Sequence, residues 1–407
     1  GTALSRITVR VGQNADHSGT VIIDASGTIN WALAVTGNYV TVDGEHAGQR
    51  HLVVRNAPTN KEGTAVALDG TVDPILRYVE IDTAGIGIVF AGGSGGVIER
   101  SYIHGIRGDT GIRCNARNGA ASQYDLTFIR YNEIQLNSAL NTGSGPDGIQ
   151  GCRGLTIHDN QIYNASGSTN SLDQTNHSDL IQIQADYVKI YNNVLSNMTD
   201  SGIDLDQWTD AAIRHIRIYN NILRGVIGSS TGIRFYTSGV PLTSILDVRI
   251  MNNTFVDLAE IGDGNAVRFT FGGGNPTVSD MEIKNNIFYN AGKASPHHDV
   301  IMILNSSNAS QSDWNVDYNL VNAGARGSAT LIVDGSAFTQ AHGRNDTPTF
   351  VTYSPASPNN DFRLGSSDAS ARDRGVNLAS FFTTDKDGIP RPQGSGWDIG
   401  AYEYGSS

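Results

Sequence analysis

Two aspartates separated by a single residue, Asp204 and Asp206 in the stretch GIDLDQ from Gly202, are the side chains best placed to do chemistry. On an extended strand, residues i and i+2 share a face about 6.6 Å apart. Two carboxylates so placed repel, and require a cation, a shared proton or an arginine partner. Calcium would satisfy the need, since it takes roughly six to eight oxygen ligands, and Asp179 in His177-Ser178-Asp179 is the natural third ligand. Two rungs of similar sequence follow, GIRFYT from Gly232 and AVRFTF from Ala266. They bring Arg234, Arg268 and the phenol of Tyr236 to the same offset.

These positions belong to a repeat. LTFIRYNEI (126–134), LTIHDNQI (155–162), VKIYNNVL (188–195), IRIYNNI (216–222), VRIMNNTF (248–255) and MEIKNNIF (281–288) share one template: alternating apolar residues, then Asn and a further apolar residue. The repeated Asn falls at Asn132, Asn160, Asn193, Asn221, Asn253, Asn286 and Asn319, at spacings of 28, 33, 28, 32, 33 and 33 residues. A second strand interleaves with the first: GIVFAG, GIRCNA, GIQGCR, LIQIQA, GIDLDQ, GIRFYT and AVRFTF. Period-2 alternation in each implies one buried face and one wet face. Short strands recurring about every 30 residues, without helical periodicity, predict an all-β chain folded as a right-handed parallel β-helix. The recurrent Asn reads as a corner residue, because it tolerates left-handed backbone and can hydrogen-bond from rung to rung.

Aligning the second strands gives two outward columns. The first runs Val89, Arg113, Gln150, Gln182, Asp204, Arg234, Arg268, Met302. The second runs Ala91, Asn115, Cys152, Gln184, Asp206, Tyr236, Thr270, Leu304. Both are apolar at the ends and mostly polar in the middle, as a groove for an extended polar polymer would be. Asp147 and Asp179 sit just before two of these strands. Gln150, Gln182, Gln184, Arg113, His177 and Trp208 are the expected substrate contacts, and Trp208 serves equally well as a structural anchor.

Three uses of the patch follow from these residue types. In the first, a uronate-containing polysaccharide is cleaved by β-elimination. Asp179, Asp204 and Asp206 hold Ca²⁺, Arg234 and Arg268 neutralise the uronate carboxylate, and Tyr236 or His177 moves the proton. Arginine itself keeps its proton, so it is a poor base. In the second, Asp204 with Asp206, or either with Asp179, hydrolyses a glycoside. Such carboxylates stand about 5–5.5 Å apart for retention and about 6.5–9.5 Å for inversion. In the third, the solenoid binds glycan without reacting. A surface ladder in which Arg234 pairs with Asp204 across rungs would need no chemistry at all.

The first pattern resembles the pectate-lyase type of β-helix site, in which an Asp-x-Asp strand binds calcium and basic residues of following coils act on the substrate. On that resemblance Arg234 or Arg268 takes the base or charge-neutralising position. Gly202-Ile203-Asp204 is similar, more weakly, to the Asp-Pro-His strand of alginate C5-epimerases, but Leu205 and Asp206 stand where Pro and His would be. Polygalacturonase-like hydrolases carry an Asn-Thr-Asp motif, matched loosely by His177-Ser178-Asp179, and a Gly-His-Gly motif that this sequence lacks. The C-terminal stretch resembles the closing signature of bacterial secreted β-helix proteins at Asp361-Phe362-Arg363-Leu364, Asp387-Gly388, Arg391-Pro392 and Asp398-Ile399-Gly400-Ala401-Tyr402-Glu403. That likeness implies secretion and a β-helix, with residues 331–407 as terminal coils and a cap continuous with a helix over 1–330. A cap is needed because the last coil otherwise leaves an unpaired edge.

Composition narrows the partners. With 28 Lys+Arg against 40 Asp+Glu, the net charge of −12 opposes nucleic-acid binding, which draws on a basic surplus. No apolar run approaches the ~18 residues of a membrane-spanning helix, so the expected partner is a polysaccharide or oligosaccharide, met by a secreted monomer. Small polar residues and little lysine suit that setting. Two cysteines, Cys114 predicted inward and Cys152 outward on neighbouring coils, are too few for a disulfide scaffold and leave their pairing open. His297-His298 lacks further spaced ligands, and Gly272–Gly274 has no following P-loop lysine. Both read as turns.

Overall fold

The computed structural model describes residues 1–14, 16, 19–115, 127–137, 145–151, 154–165, 178–184, 186–206, 212–225, 231–236, 244–258, 265–270, 277–291, 301–304, 314–322, 332–333, 336–337, 339–355, 357 and 359–405. Among them there are strands and no α-helix. They form two compact units, Gly1–Lys189 and Ile190–Ser407. Each is a stack of parallel β-coils, as the repeat predicts, and each coil contributes short strands to three walls.

In the first unit one wall holds the template strands, Ile75–Arg77, Val97–Glu99, Thr127–Arg130 and Leu155–His158, paired in parallel. A corner turns the chain into the next wall, where Leu52–Arg55, the start of Val79–Ala91, the start of Tyr102–Asn115, Glu133–Leu136 and Gln161–Asn164 stack. The remaining wall, built from Thr64–Asp69, residues 86–91, 110–115, Asp147–Gly151 and Ile181–Ile183, carries the outward columns. The unit begins with Ile7–Arg10 paired to Val40–Asp43 and Val21–Asp24 paired to Leu52–Arg55. Alternation in those first strands is obscured because their residues are mostly exposed.

The second unit repeats the plan with Ala212–Tyr219, Ser244–Met251, Thr277–Lys284 and Trp314–Asp317 before the corner. Val194–Ser196, Ile222–Arg224, Thr254–Val256, Ile287–Tyr289 and Leu320–Asn322 follow it. Inside lies a column of stacked apolar side chains. Ile203, Leu205, Ile233, Phe235, Val267 and Phe269 are all at most 1% exposed, and the Phe235 and Phe269 rings stack at 4.6 Å. Gly232 opens its strand because a Cβ there would lie 2.5 Å from the Ala266 carbonyl oxygen of the next coil.

The corner asparagines do what the spacing implied. The backbone N–H of Asn221 donates to Asn253 Oδ1 at 3.0 Å, Asn253 N–H to Asn286 Oδ1 at 2.9 Å, and Asn286 N–H to Asn319 Oδ1 at 2.9 Å. Each side-chain amide also donates to a backbone carbonyl of the preceding coil, as Asn253 Nδ2 does to Ile218 at 3.0 Å. All four side chains are buried. The ladder ends in a residue the template does not show: Asn319 N–H donates to Gln340 Oε1 at 3.0 Å. In the first unit Ser101 N–H donates to Asn132 Oδ1 and Asn132 N–H to Asn160 Oδ1, both at 3.0 Å.

The C-terminal tail closes the last rung and also covers a flank. Val321 N–H donates to the Arg344 carbonyl and Arg344 N–H to that of Asn319, so this short segment caps the edge of the terminal coil. From Phe350 onward the chain lies against the outer side of the wall after the corner. Phe350, Phe362, Leu364, Ala371, Ile399 and Ala401 pack there on Ile222, Val256, Ile287 and Leu320. Its polar anchor is a wholly buried ion pair, Arg391 to Glu403 at 2.9 Å. Asp398 shares this pocket, and burial beside the Glu403 charge pushes its carboxyl up to about 7.

Replacing Asn253 by alanine orphans buried groups on both sides of its rung, so unfolding free energy should fall by about 1–3 kcal/mol for each orphaned group; an unchanged denaturant midpoint would show the ladder to be idle. The Asp398 carboxyl holds a proton in the folded chain that the unfolded chain releases above about pH 4. Its contribution to stability is therefore whole in acid and is lost as pH rises through about 7. Thermal melts of Asp398→Asn across that window should lose this slope, whereas a slope identical to that of the parent would contradict the assignment.

Candidate active site

The outward columns form as aligned. In the first unit Val89 pairs with Arg113, Arg113 with Gln150, and Gln150 with Gln182. In the second Asp204 pairs with Arg234, Arg234 with Arg268, Arg268 with Met302, and Asp206 with Tyr236. One wall of each unit thus gathers the polar residues that sequence spacing placed together.

The first unit builds an amide ladder. Arg113 Nε donates to Gln150 Oε1 at 3.0 Å, Gln150 Nε2 donates to Gln182 Oε1 at 2.7 Å, and Gln184 Nε2 donates to the same oxygen at 3.1 Å. Asp147 accepts from the backbone N–H of Asp179 at 3.1 Å, and the Ser178 hydroxyl donates to the Pro146 carbonyl. Arg113 also pairs with Asp109. The chain of donors runs one way along the rungs, so each amide orients the next. Cys114 faces inward, is 4% exposed and is disulfide-bonded. The other cysteine of the sequence, Cys152, lies outside the described residues, as do His177, Trp208, His297, His298 and Gly272–Gly274.

The second unit builds a charge cluster. Arg234 grips Asp204 with a two-pronged fork, Nε to Oδ1 and Nη2 to Oδ2, both at 2.9 Å. Its remaining prong, Nη1, reaches Asp200 Oδ2 at 3.0 Å and Oδ1 at 3.2 Å. The Tyr236 ring lies beside the same guanidinium, 5.4 Å from carbon to centroid. Bidentate, charge-assisted geometry of this kind fixes direction as well as energy. The compensating charge that an Asp-x-Asp strand requires is therefore present as an arginine.

Outward does not mean wet on this wall. Asp204 is 1% exposed, Asp206 4%, Gln182 3% and Gln150 8%. The expectation of a fully solvated face is corrected here: long side chains of adjacent rungs lie over the short carboxylates and amides, as Arg234 lies over Asp204. Asp200 and Asp109 are the partners that the column alignment left out. Asp200 precedes its strand, as Asp179 does, and Asp109 lies within the strand Tyr102–Asn115 as Asp147 opens its own; an acid two or three residues ahead of the first inward isoleucine of that wall is the signal that marks all four.

Calcium meets a geometric obstacle at Asp204, because an ion there would have to displace Arg234 from both carboxylate oxygens. Among the described residues, no three Asp, Glu, His or Cys side chains converge as a metal-binding set.

No family model matches the chain, and no curated protein matches it by sequence. Its fold is similar to that of the pectate lyase Pel9A, at 14% identity over 98% of this chain and 97% of that one, with a TM-score of 0.55. It is also similar to a tailspike double mutant of E. coli bacteriophage HK620, at 11% identity over 81% of this chain and 58% of that one, with a TM-score of 0.50. An alginate lyase from Paenibacillus sp. str. FPU-7 aligns over 76% of this chain at 13% identity and a TM-score of 0.46, covering 92% of its own length. At such identities the likeness is one of fold, and the fold is the parallel β-helix.

The Asp204–Arg234 fork is partly shielded, so a double-mutant cycle on the pair should report a coupling of roughly 0.5–3 kcal/mol in unfolding free energy. A coupling near zero would reduce the pair to an incidental surface contact.

Proposed function

We propose that this chain is a polysaccharide-active β-helix enzyme that cleaves an acidic, uronate-containing glycan by β-elimination on the wall carrying Asp204, Arg234 and Arg268. The observation that carries the reading is the placement of Arg268 one rung beyond an arginine already neutralised by Asp204 and Asp200, with the Tyr236 phenol alongside. Arg268 is partly exposed on the next rung, and in this reading it meets the substrate. Support also comes from the architecture shared with a pectate lyase.

In this reading Arg268 binds the uronate carboxylate and disperses the charge that develops when C5 loses its proton. Tyr236, as phenolate, takes that proton, and as phenol passes it to the departing C4 oxygen. The C5–H electrons become the C4=C5 double bond while the C4–O bond breaks, so atoms and charge balance without water. Asp204 and Asp200 hold Arg234 in place, and Arg234 positions the Tyr236 ring. In the first unit Arg113, Gln150, Gln182 and Gln184 are the glycan contacts of this reading. No step is routed through calcium, and secretion would bring the chain to its polymer.

Turnover on polygalacturonate and alginate, followed by ultraviolet absorbance of the unsaturated product, tests the proposal. Tyr236→Phe and Arg268→Ala should each lose about 10²-fold or more. New reducing ends without the absorbance would instead indicate hydrolysis by an Asp pair, and no product at all would favour a glycan-binding solenoid. A chelator arm reports directly on calcium.

A further inference from the structure

A corner of the first unit, where its template wall turns into the wall that follows, carries side chains that the fold does not require. From the third rung of the first unit onward, the residue entering the corner adopts left-handed backbone at Tyr78, Arg100, Tyr131 and Asp159, with φ of 54–56°, and in the second unit at Asn192, Asn220, Asn252, Asn285 and Tyr318, with φ of 50–59°. Asparagine and aspartate suit that conformation, and bulky side chains do so poorly. The chain uses asparagine at four of the five positions in its second unit. Tyrosine or arginine on three consecutive rungs therefore calls for a reason beyond the turn.

In the second unit these entering residues hold protein. Asn220 Nδ2 donates to the Thr384 carbonyl at 2.9 Å, Asn252 to those of Asp398 and Gly400 at 2.9 and 3.0 Å, and Asn285 to that of Val376 at 2.8 Å. Tyr318, the one aromatic among them, stacks on His342 of the tail at 4.4 Å. The corner is thus a docking edge wherever its occupant is seen.

In the first unit Tyr131 is 46% exposed and Arg100 is exposed beside it. The Arg100 guanidinium lies 5.8 Å from the Tyr78 ring and 5.0 Å from the Tyr131 ring, held between the two. Among the described residues no carboxylate pairs with Arg100. Its neighbour Arg130, in contrast, is engaged by Glu99 at 2.8 Å. An exposed, uncompensated cation held by aromatic rings is conspicuous on a chain of net charge −12.

We infer that the Tyr78–Arg100–Tyr131 corner is a second carbohydrate-binding site, taking a stretch of anionic polysaccharide outside the candidate active wall. The two tyrosines are two rungs apart, ~9.6 Å, a span on the scale of a disaccharide. Arg100, held between their rings, takes a carboxylate, and the exposed part of Tyr131 offers apolar contact to sugar C–H groups. Such a site would keep the enzyme on a polymer between cleavages, raising the effective concentration of substrate at the active wall. The choice of uronate as the anion rests on the proposed function.

Native-gel affinity electrophoresis of the full chain tests this, with polygalacturonate or alginate in the gel and a neutral glucan as control. Arg100→Asn and Tyr131→Asn are suitable variants, since asparagine is the residue the same corner uses elsewhere. Each should weaken the apparent affinity for the anionic polymer roughly tenfold, in the parent and in an Arg268→Ala background alike, without altering turnover on short oligosaccharides. Retardation unchanged in both variants, equal retardation of the parent by neutral glucan, or none by either uronate polymer would overturn the inference. Retardation by uronate that vanishes in the corner variants, with no unsaturated product from the parent, would leave this site standing and remove the lyase reading instead.

Discussion

Every feature of this molecule depends on one constraint: a backbone N–H buried at a coil corner must find an acceptor, and the asparagine of the following coil provides it. Asn221, Asn253, Asn286 and Asn319 each accept from the rung before, and all are shielded from water. A buried donor left without a partner is costly, so a slip of one residue at any corner is strongly disfavoured. Because side chains alternate along a strand, such a slip would also turn every inward isoleucine outward. The ladder and the core therefore enforce the same register, and that register brings residues thirty apart in sequence onto adjacent rungs.

The polar wall inherits this order. Arg234 can fork onto Asp204 because pairing of the rungs sets their Cα atoms opposite one another. It can also reach Asp200 because the turn before the strand supports a carboxylate at its other prong. In the first unit the same geometry yields a run of amides from Arg113 through Gln150 to Gln182. In the second unit the wall satisfies itself at Arg234, and the proposed function has Arg268 meet the substrate on the next rung. The corner before the ladder divides similarly. Asparagines in the second unit hold the tail, and Arg100 and Tyr131 in the first face solvent beside a half-buried Tyr78.

Much of the fold was legible because it is repetitive: the Asn template and period-2 alternation each recur often enough to fix the coil and both outward columns. Exceptions to the template were less visible. Ser101 serves as a ladder rung with a shorter side chain, and Gln340 ends the ladder from a segment 21 residues beyond Asn319. Asp200 precedes its strand and Asp109 lies in the irregular middle of Tyr102–Asn115, where spacing does not give direction. The near-complete burial of Asp204 and Asp206 follows from what neighbouring rungs lay over them, which alternation alone does not encode. The lateral seat of the tail on Ile222, Val256, Ile287 and Leu320 depends on complementarity between surfaces distant in sequence. The corner cluster combines both difficulties, since Tyr78, Arg100 and Tyr131 look unremarkable until their backbone conformation and mutual packing are known.

Amide hydrogen exchange under native conditions addresses the stacking constraint at its source. The backbone N–H groups of Asn221, Asn253 and Asn286 should be among the slowest to exchange and should open together, since each is held by the coil that follows. Exchange at those three sites as rapid as in exposed turns such as Gly48 or Gly388 would mean that the rungs are not locked in register.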